Sequence, residues 1–228
     1  MKRVFFISGI DTDIGKTVAA GMLARTLRRR GVAVITQKLV QTGDSGISMD
    51  IRMHRQLMGI GLLPEDMDGT TCPEIYSFPA SPHLAAELDR RPLALDRIDR
   101  ATEILLERYD MVLLEGAGGL MAPLTRELLT IDFAAARGYP LILVTCGRLG
   151  SLNHTLLSLE AAKSRRIPVV GMIYNHSPAE DPLIGPDTCA YLRDRLRAEH
   201  PGAWFAKLGK VDLQHPELTE MTDVGSME

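Results

Sequence analysis

The sequence predicts an α/β protein built on a doubly wound, mostly parallel sheet flanked by helices. Two observations predict it. Short apolar runs alternate with longer segments of helical period, as parallel strands joined by crossover helices do. The runs are apolar throughout rather than alternating, which implies burial on both faces of a sheet. The first run, residues 3–8, leads into a glycine-containing turn, after which residues 17–30 set Val18, Met22, Leu23 and Leu27 on one helical face before Gly31; a glycine after the last periodic residue is a helix stop. The closing Arg28-Arg29-Arg30 meets the negative end of the helix dipole, and Lys163, Arg165 and Arg166 are read the same way. Further strands are expected over residues 33–39, 111–115, 141–145 and 169–174, with a weaker last strand over 204–208. Helices are expected over residues 49–58, 81–88, 96–108, 131–136, 152–165 and 186–199. Residues 214–228 have little apolar period and are expected to form a loosely ordered tail. A chain of 228 residues fits one domain around one core.

With 45% hydrophobic and 24% charged residues the chain can fold around a core, so disorder is not indicated. A net charge of −3 gives no general attraction for the phosphates of nucleic acid. The three cysteines, Cys72, Cys146 and Cys189, lie far apart and outside any zinc-type spacing, so reduced, buried thiols are expected. The apolar start at Val4 breaks at Gly9 and Asp11, too soon for a signal peptide or a membrane span. A cytoplasmic location and no membrane partner follow as expectations. Met49, Met53 and Met58 read as core filler.

The strongest local signal is Ser8-Gly9-Ile10-Asp11-Thr12-Asp13-Ile14-Gly15-Lys16-Thr17, which follows a strand and opens a helix. In that context backbone N–H groups and the helix N-terminus point at phosphate oxygens, Lys16 neutralises the β- and γ-phosphates, and the Thr17 hydroxyl ligates Mg²⁺. Five residues separate Gly9 from Gly15, one more than in the strict phosphate-loop motif. A second signal is Met111-Val112-Leu113-Leu114-Glu115-Gly116-Ala117-Gly118-Gly119, an apolar strand ending in a carboxylate and a glycine-rich turn. Ligands of open α/β sheets gather beyond the carboxyl ends of the strands, so Glu115 is expected to face the same crevice as Thr17 and to hold the metal.

Gly9 to Thr17, the pair Lys38 and Thr42, Ser81-Pro82-His83, Glu115 to Gly119, Leu149-Gly150-Ser151-Leu152-Asn153-His154 and Asn175 occur in the order found in dethiobiotin synthetases, and over residues 3–176 the chain resembles that family. The resemblance implies a P-loop, homodimeric, Mg²⁺- and ATP-dependent ligase that makes a cyclic urea from 7,8-diaminononanoate and CO₂. In such a reaction one amine takes up CO₂ as a carbamate, a carbamate oxygen attacks the γ-phosphate, and the second amine attacks the mixed anhydride and expels phosphate. It further implies nucleotide contacts at Asp13, Ile14, Gly15, Lys16, Thr17 and Val18, and at Glu115, Gly116, Ala117 and Gly118. Asn175 matches an adenine-reading asparagine, with His176 beside it against the base.

A carbamate and a triphosphate are both anions, so bringing them together requires fixed cations aimed at their oxygens. Lys16 and Lys38 are the candidate catalytic residues. Lys38 ends the second strand and matches the family's carbamate-binding lysine. Thr42 matches a substrate-binding hydroxyl of the family, and Thr12 is expected to do likewise from the phosphate loop. Thr17, Asp50 and Glu115 are the expected metal ligands, with Asp44 an alternative to Asp50. Gly150 and Asn153 match positions where the second subunit receives the substrate carboxylate at a helix N-terminus. His83 and His154, each at a helix start, are assigned to packing or capping, because the carbamate route needs charge neutralisation more than a base.

Two departures qualify the match. Leu39 stands where the family commonly has proline, and Gly209-Lys210-Val211-Asp212 replaces a proline-containing segment on the adenine side, which leaves base recognition there less stringent. A second class is the switch ATPase that positions chromosomes or septa. It carries an extra lysine where Asp11 stands here, and a basic or amphipathic tail where this chain is acidic. Glutamine-dependent amidoligases need a further domain with a Cys/His pair.

Overall fold

The computed structural model of the protein describes residues 3–176, 181–225 and 227. In chain order the elements are β1 (Arg3–Gly9), α1 (Lys16–Arg29), β2 (Val34–Lys38), β3 (Gln41–Thr42), α2 (Met49–Met58), α3 (Pro64–Met67), β4 (Ile75–Tyr76), α4 (Pro82–Leu88), α5 (Leu95–Arg108), β5 (Met111–Gly119), α6 (Thr130–Ala136), β6 (Leu141–Cys146), α7 (Ser151–Ser164), β7 (Val169–Asn175), α8 (Ile184–Glu199), β8 (Trp204–Leu208), a 3₁₀ turn (Pro216–Leu218) and β9 (Met221–Thr222). Seven strands form one sheet in the order β2-β5-β1-β6-β7-β8-β9, parallel except for the β8–β9 pair. The doubly wound, mostly parallel architecture is therefore as expected. β1 pairs with β5 on one side and β6 on the other, so the strand order reverses at β1, and a crevice opens beyond its carboxyl end at that switch point.

The continuous apolar runs are buried on both faces: Phe6, Ile7, Val112, Leu113, Leu143 and Ile173 have no exposed surface. α1 and α2 pack closely because Gly21 leaves no room for a side chain against Leu57. α2 starts at Ser48, whose hydroxyl accepts the Ile51 N–H, and ends at Gly59 in the left-handed region. Its Arg55 is buried and makes a two-pronged pair with Asp66 at 2.9 and 2.8 Å, plus a 2.7 Å bond to the Thr36 hydroxyl on β2. A buried guanidinium satisfied in this way fixes α2 against the sheet. The three cysteines are free and buried, and burial pushes the Cys72 thiol up to about 12.

Three expectations need correction. β3 and β4 pair as a small parallel sheet, Gln41 against Ile75 and Thr42 against Tyr76, where only loop was expected. Met49 is 61% exposed and is not core filler, whereas Met58 is buried. The stretch expected to form a loose tail contributes β9, which pairs antiparallel with β8, and buries Met221 and Val224; residues 226 and 228 lie outside the described set. Arg30 Nη1 donates to the Val224 carbonyl at 3.0 Å and Arg29 pairs with Glu220 at 3.2 Å, so these helix-end arginines also tie down the chain's last segment. Among the described residues no helix is long and apolar enough to cross a membrane.

Candidate active site

The carboxyl ends of β1, β2 and β5 and the start of α1 enclose a crevice of about 840 Å³. Gly15 opens α1 at φ 89°, and a Cβ there would lie 2.2 Å from Asn175 Nδ2; both the backbone angle and the space require glycine. Thr12, Asp13, Gly15, Lys16, Thr17 and Val18 line it from the phosphate loop and the start of α1. Lys38, Thr42 and Asp50 line it as well, and so do Glu115, Ala117 and Gly118 of β5.

At the centre, three side chains, from Lys38, Thr17 and His54, converge on Glu115, which has no exposed surface. Lys38 Nζ lies 2.9 Å from Glu115 Oε1 and 2.5 Å from Asp50 Oδ2, and donates to the Gly116 carbonyl at 3.1 Å. An ammonium has three protons, and these three acceptors take all of them. The Thr17 hydroxyl donates to Glu115 Oε1 at 3.0 Å. His54 Nε2 lies 2.8 Å from Glu115 Oε2, with neither group exposed. Burial alone would discharge this carboxylate, but the Lys38 ammonium and the His54 bond hold its pKa well below the usual range. Burial likewise opposes the charge on Lys38, and Glu115 with Asp50 outweighs it, holding Lys38 above the ordinary lysine value.

Lys16 differs. It is buried, its Nζ donates to the Asp11 carbonyl at 2.6 Å, and burial pushes its pKa down to about 8. The Asp11 carboxylate pairs with Arg148, so the position of the switch ATPases' extra lysine is held here by an acid.

A smaller cavity of about 300 Å³ adjoins the crevice and shares Asp13, Gly15 and Val18 with it; Asn175, Gly209, Val211 and Leu213 complete its lining. Asn175 Nδ2 donates to the Ile14 carbonyl at 2.9 Å, which ties the end of β7 to the phosphate loop.

Several candidates lie off both cavities. Ile14 is buried, and Gly116 faces Phe6 and Thr130 and offers the crevice only its carbonyl to Lys38. The His176 ring packs edge-on to Tyr174 at 4.9 Å, not in the lining of the smaller cavity. Gly150 and Asn153 are exposed at the start of α7 and line neither cavity. Asp44 accepts the Ser45 and Met49 N–H groups at 2.6 Å each and is absent from the crevice wall, which is reached by Asp50. His83 bonds Ser81 Oγ through Nδ1 at 3.0 Å, a local helix-start contact, and His154 Nδ1 is 3.9 Å from Asp11 Oδ2. His54, central to the site, was not among the expected residues.

A hydroxyl and two carboxylates are hard oxygen donors suited to magnesium, and the Lys38 ammonium already sits between those two carboxylates, so the region accommodates positive charge. Among the described residues no cluster of three or more His, Cys, Asp or Glu could cage a metal.

A family model described as an AAA domain matches residues 3–217. The ATP-dependent dethiobiotin synthetase BioD 2 of Pasteurella multocida is 49% identical, over 93% of this chain and 100% of that protein. The ATP-dependent dethiobiotin synthetase BioD of Chlorobaculum tepidum is 54% identical over 95% of this chain and 89% of its own length. Haemophilus influenzae BioD 2, of the same description, is 52% identical over 81% and 96%. Among solved structures, chloroplast FtsY from Physcomitrella patens aligns with a TM-score of 0.52 at 17% identity, covering 99% of this chain, which spans 63% of that one; such a likeness bears on the fold alone. On the identity and coverage of these synthetases, the chain belongs to the dethiobiotin synthetase family.

Proposed function

We propose that this protein closes the cyclic urea of dethiobiotin from 7,8-diaminononanoate and CO₂ at the expense of ATP. The observation that carries the reading is the placement of two buried lysines, Lys16 and Lys38, in the lining of one crevice, because the reaction must press two anions together. In this reading the triphosphate lies along the loop from Asp13 to Val18, and the base enters the smaller cavity beside Asn175, Gly209 and Val211. Thr17, Glu115 and Asp50 would hold magnesium, which supplies charge neutralisation to the phosphates when bound.

The diamine occupies the Lys38 side of the crevice, with Thr42 and Thr12 within its walls. One amine adds to CO₂ to give a carbamate, and Lys38 pairs with the oxygen that then attacks the γ-phosphorus. All three Lys38 donors are engaged, so a carbamate must displace one acceptor. Asp50, whose side chain is 24% exposed while that of Glu115 is 0% exposed, is the one free to turn away. ADP departs, and the second amine attacks the carbonyl carbon and expels phosphate.

Lys16 gives this reading a pH dependence. Its free-enzyme pKa of about 8 rises when phosphates bind, so above that pH nucleotide binding takes up a proton. ATP affinity is expected to fall roughly tenfold per pH unit above about 8. Calorimetric titrations in buffers of differing ionisation enthalpy check this; an affinity flat to pH 10 would contradict a lowered Lys16 pKa coupled to phosphate binding.

A two-chain site is part of the same reading. Gly150 and Asn153 are turned to the surface, Leu149 is 85% and Leu157 61% exposed, and an apolar patch around a helix N-terminus suits a second copy that receives the substrate carboxylate there. Lys38→Gln and Asn153→Ala chains, each impaired alone, are then expected to regain activity when mixed and reassembled; no recovery would place both residues in the same chain's site.

The direct assay supplies diaminononanoate, bicarbonate and Mg·ATP and looks for dethiobiotin and ADP in equal amounts. ATP turnover indifferent to the diamine would instead point to the switch ATPases.

A further inference from the structure

His54 is the one group in the central cluster to which the proposed chemistry gives no task. It has no exposed surface, its Nε2 is 2.8 Å from Glu115 Oε2, and among the described residues its buried Nδ1 has no hydrogen-bond partner. A carboxylate only accepts, so Nε2 must carry the proton and donate to Glu115.

We propose that His54 is a positioning residue that locks the Glu115 carboxylate by holding Oε2. Oε1 is thereby the oxygen presented to both Lys38 Nζ, at 2.9 Å, and Thr17 Oγ1, at 3.0 Å. The inference rests on the reading of this crevice as the nucleotide and carbamate site and deepens it. A carboxylate free to rotate about its last torsion would offer either oxygen to either partner, and both Lys38 and the metal would lose a fixed anchor. Hydrogen bonds behind a metal-facing carboxylate act in this way.

The helix makes the lock rigid. Asp50 and His54 are four residues apart on α2 and so share a face. That face sets Asp50 against Lys38 and His54 against Glu115 from one element. The next residue, Arg55, bolts α2 to Asp66 and Thr36.

Two polar substitutions of similar size separate the N–H from mere space-filling. In His54→Gln the amide nitrogen falls near the place of Nε2 and can still donate to Glu115, whereas in His54→Asn the shorter side chain cannot reach. We expect His54→Gln to keep kcat within about threefold, and His54→Asn to lose about 10- to 100-fold in kcat with KM for the diamine little changed. Mn²⁺ affinity in the presence of a non-hydrolysable ATP analogue, read by electron paramagnetic resonance, should weaken by a similar factor in His54→Asn and not in His54→Gln. Equal losses in the two variants, or none in either, would overturn the proposal. The Mn²⁺ measurement does not depend on product. If the unaltered protein made no dethiobiotin, the proposed function would fail, while the contrast between the two variants in Mn²⁺ affinity would still decide the role of His54.

Discussion

Lys38→Gln is expected to lower turnover about 10²- to 10³-fold, the scale of removing one charged or hydrogen-bonding group from a developing anion, while ATP affinity changes by no more than about threefold. The split follows from location. Lys16 belongs to the phosphate loop, whereas Lys38 stands at the end of β2, attached to Asp50, Glu115 and the Gly116 carbonyl. Its loss also leaves Glu115 buried with only His54 and Thr17 as partners, so circular dichroism and a melting curve must accompany the kinetics. Single-turnover product formation and equilibrium nucleotide binding are the checks. Turnover unchanged in a folded variant would take Lys38 out of the mechanism.

Glu115→Gln should be the most destabilising conservative change in the site, by about 3 kcal/mol, because it leaves a buried ammonium short of its most enclosed partner. Its pH dependence is fixed by the direction of two shifts. The Glu115 carboxyl is held below its usual 4.5 in the folded protein, so its contribution is present above that pH and lost as pH falls through the folded value. Lys38 is raised above its usual 10.5, so its contribution is present below that pH and lost only as pH rises through the folded value. The stability gap between wild type and Glu115→Gln is therefore expected to be flat from about pH 5 to 7, to narrow on acidification below about 4.5, and to change again near pH 8, where the Lys16 ammonium that Glu115 supports titrates. Denaturant unfolding across that range measures it. A gap that widened in acid would contradict the assignment of Glu115 as the ionised partner.

The sheet was legible because its information is local. A run such as Leu141 to Cys146, apolar at nearly every position and buried throughout, declares a central parallel strand without reference to its neighbours. The phosphate loop and the Glu115 turn were legible because glycine, lysine and hydroxyl must occupy fixed places beside a phosphate. What escaped depended on distance. β3 and β4 are two residues each, too short for any period, and exist because Gln41 and Thr42 meet Ile75 and Tyr76 across two intervening helices. The segment near β9 lacks an apolar pattern and is held by contacts from Arg29, Arg30 and β8. His54 did leave a signal: a polar residue one helical turn after Asp50, amid the buried Ile51, Leu57 and Met58. A polar side chain on the buried face of a helix needs a partner, and at that spacing the partner lies in the site that Asp50 serves.

The most direct test of the account follows one oxygen. In a single turnover with freshly dissolved C¹⁸O₂, unlabelled water, Mg·ATP and diaminononanoate, attack by the carbamate on the γ-phosphorus carries an ¹⁸O into the released phosphate, which mass spectrometry detects. Labelled phosphate is expected, formed together with dethiobiotin. Phosphate carrying only water oxygen, released whether or not the diamine is present, would contradict it.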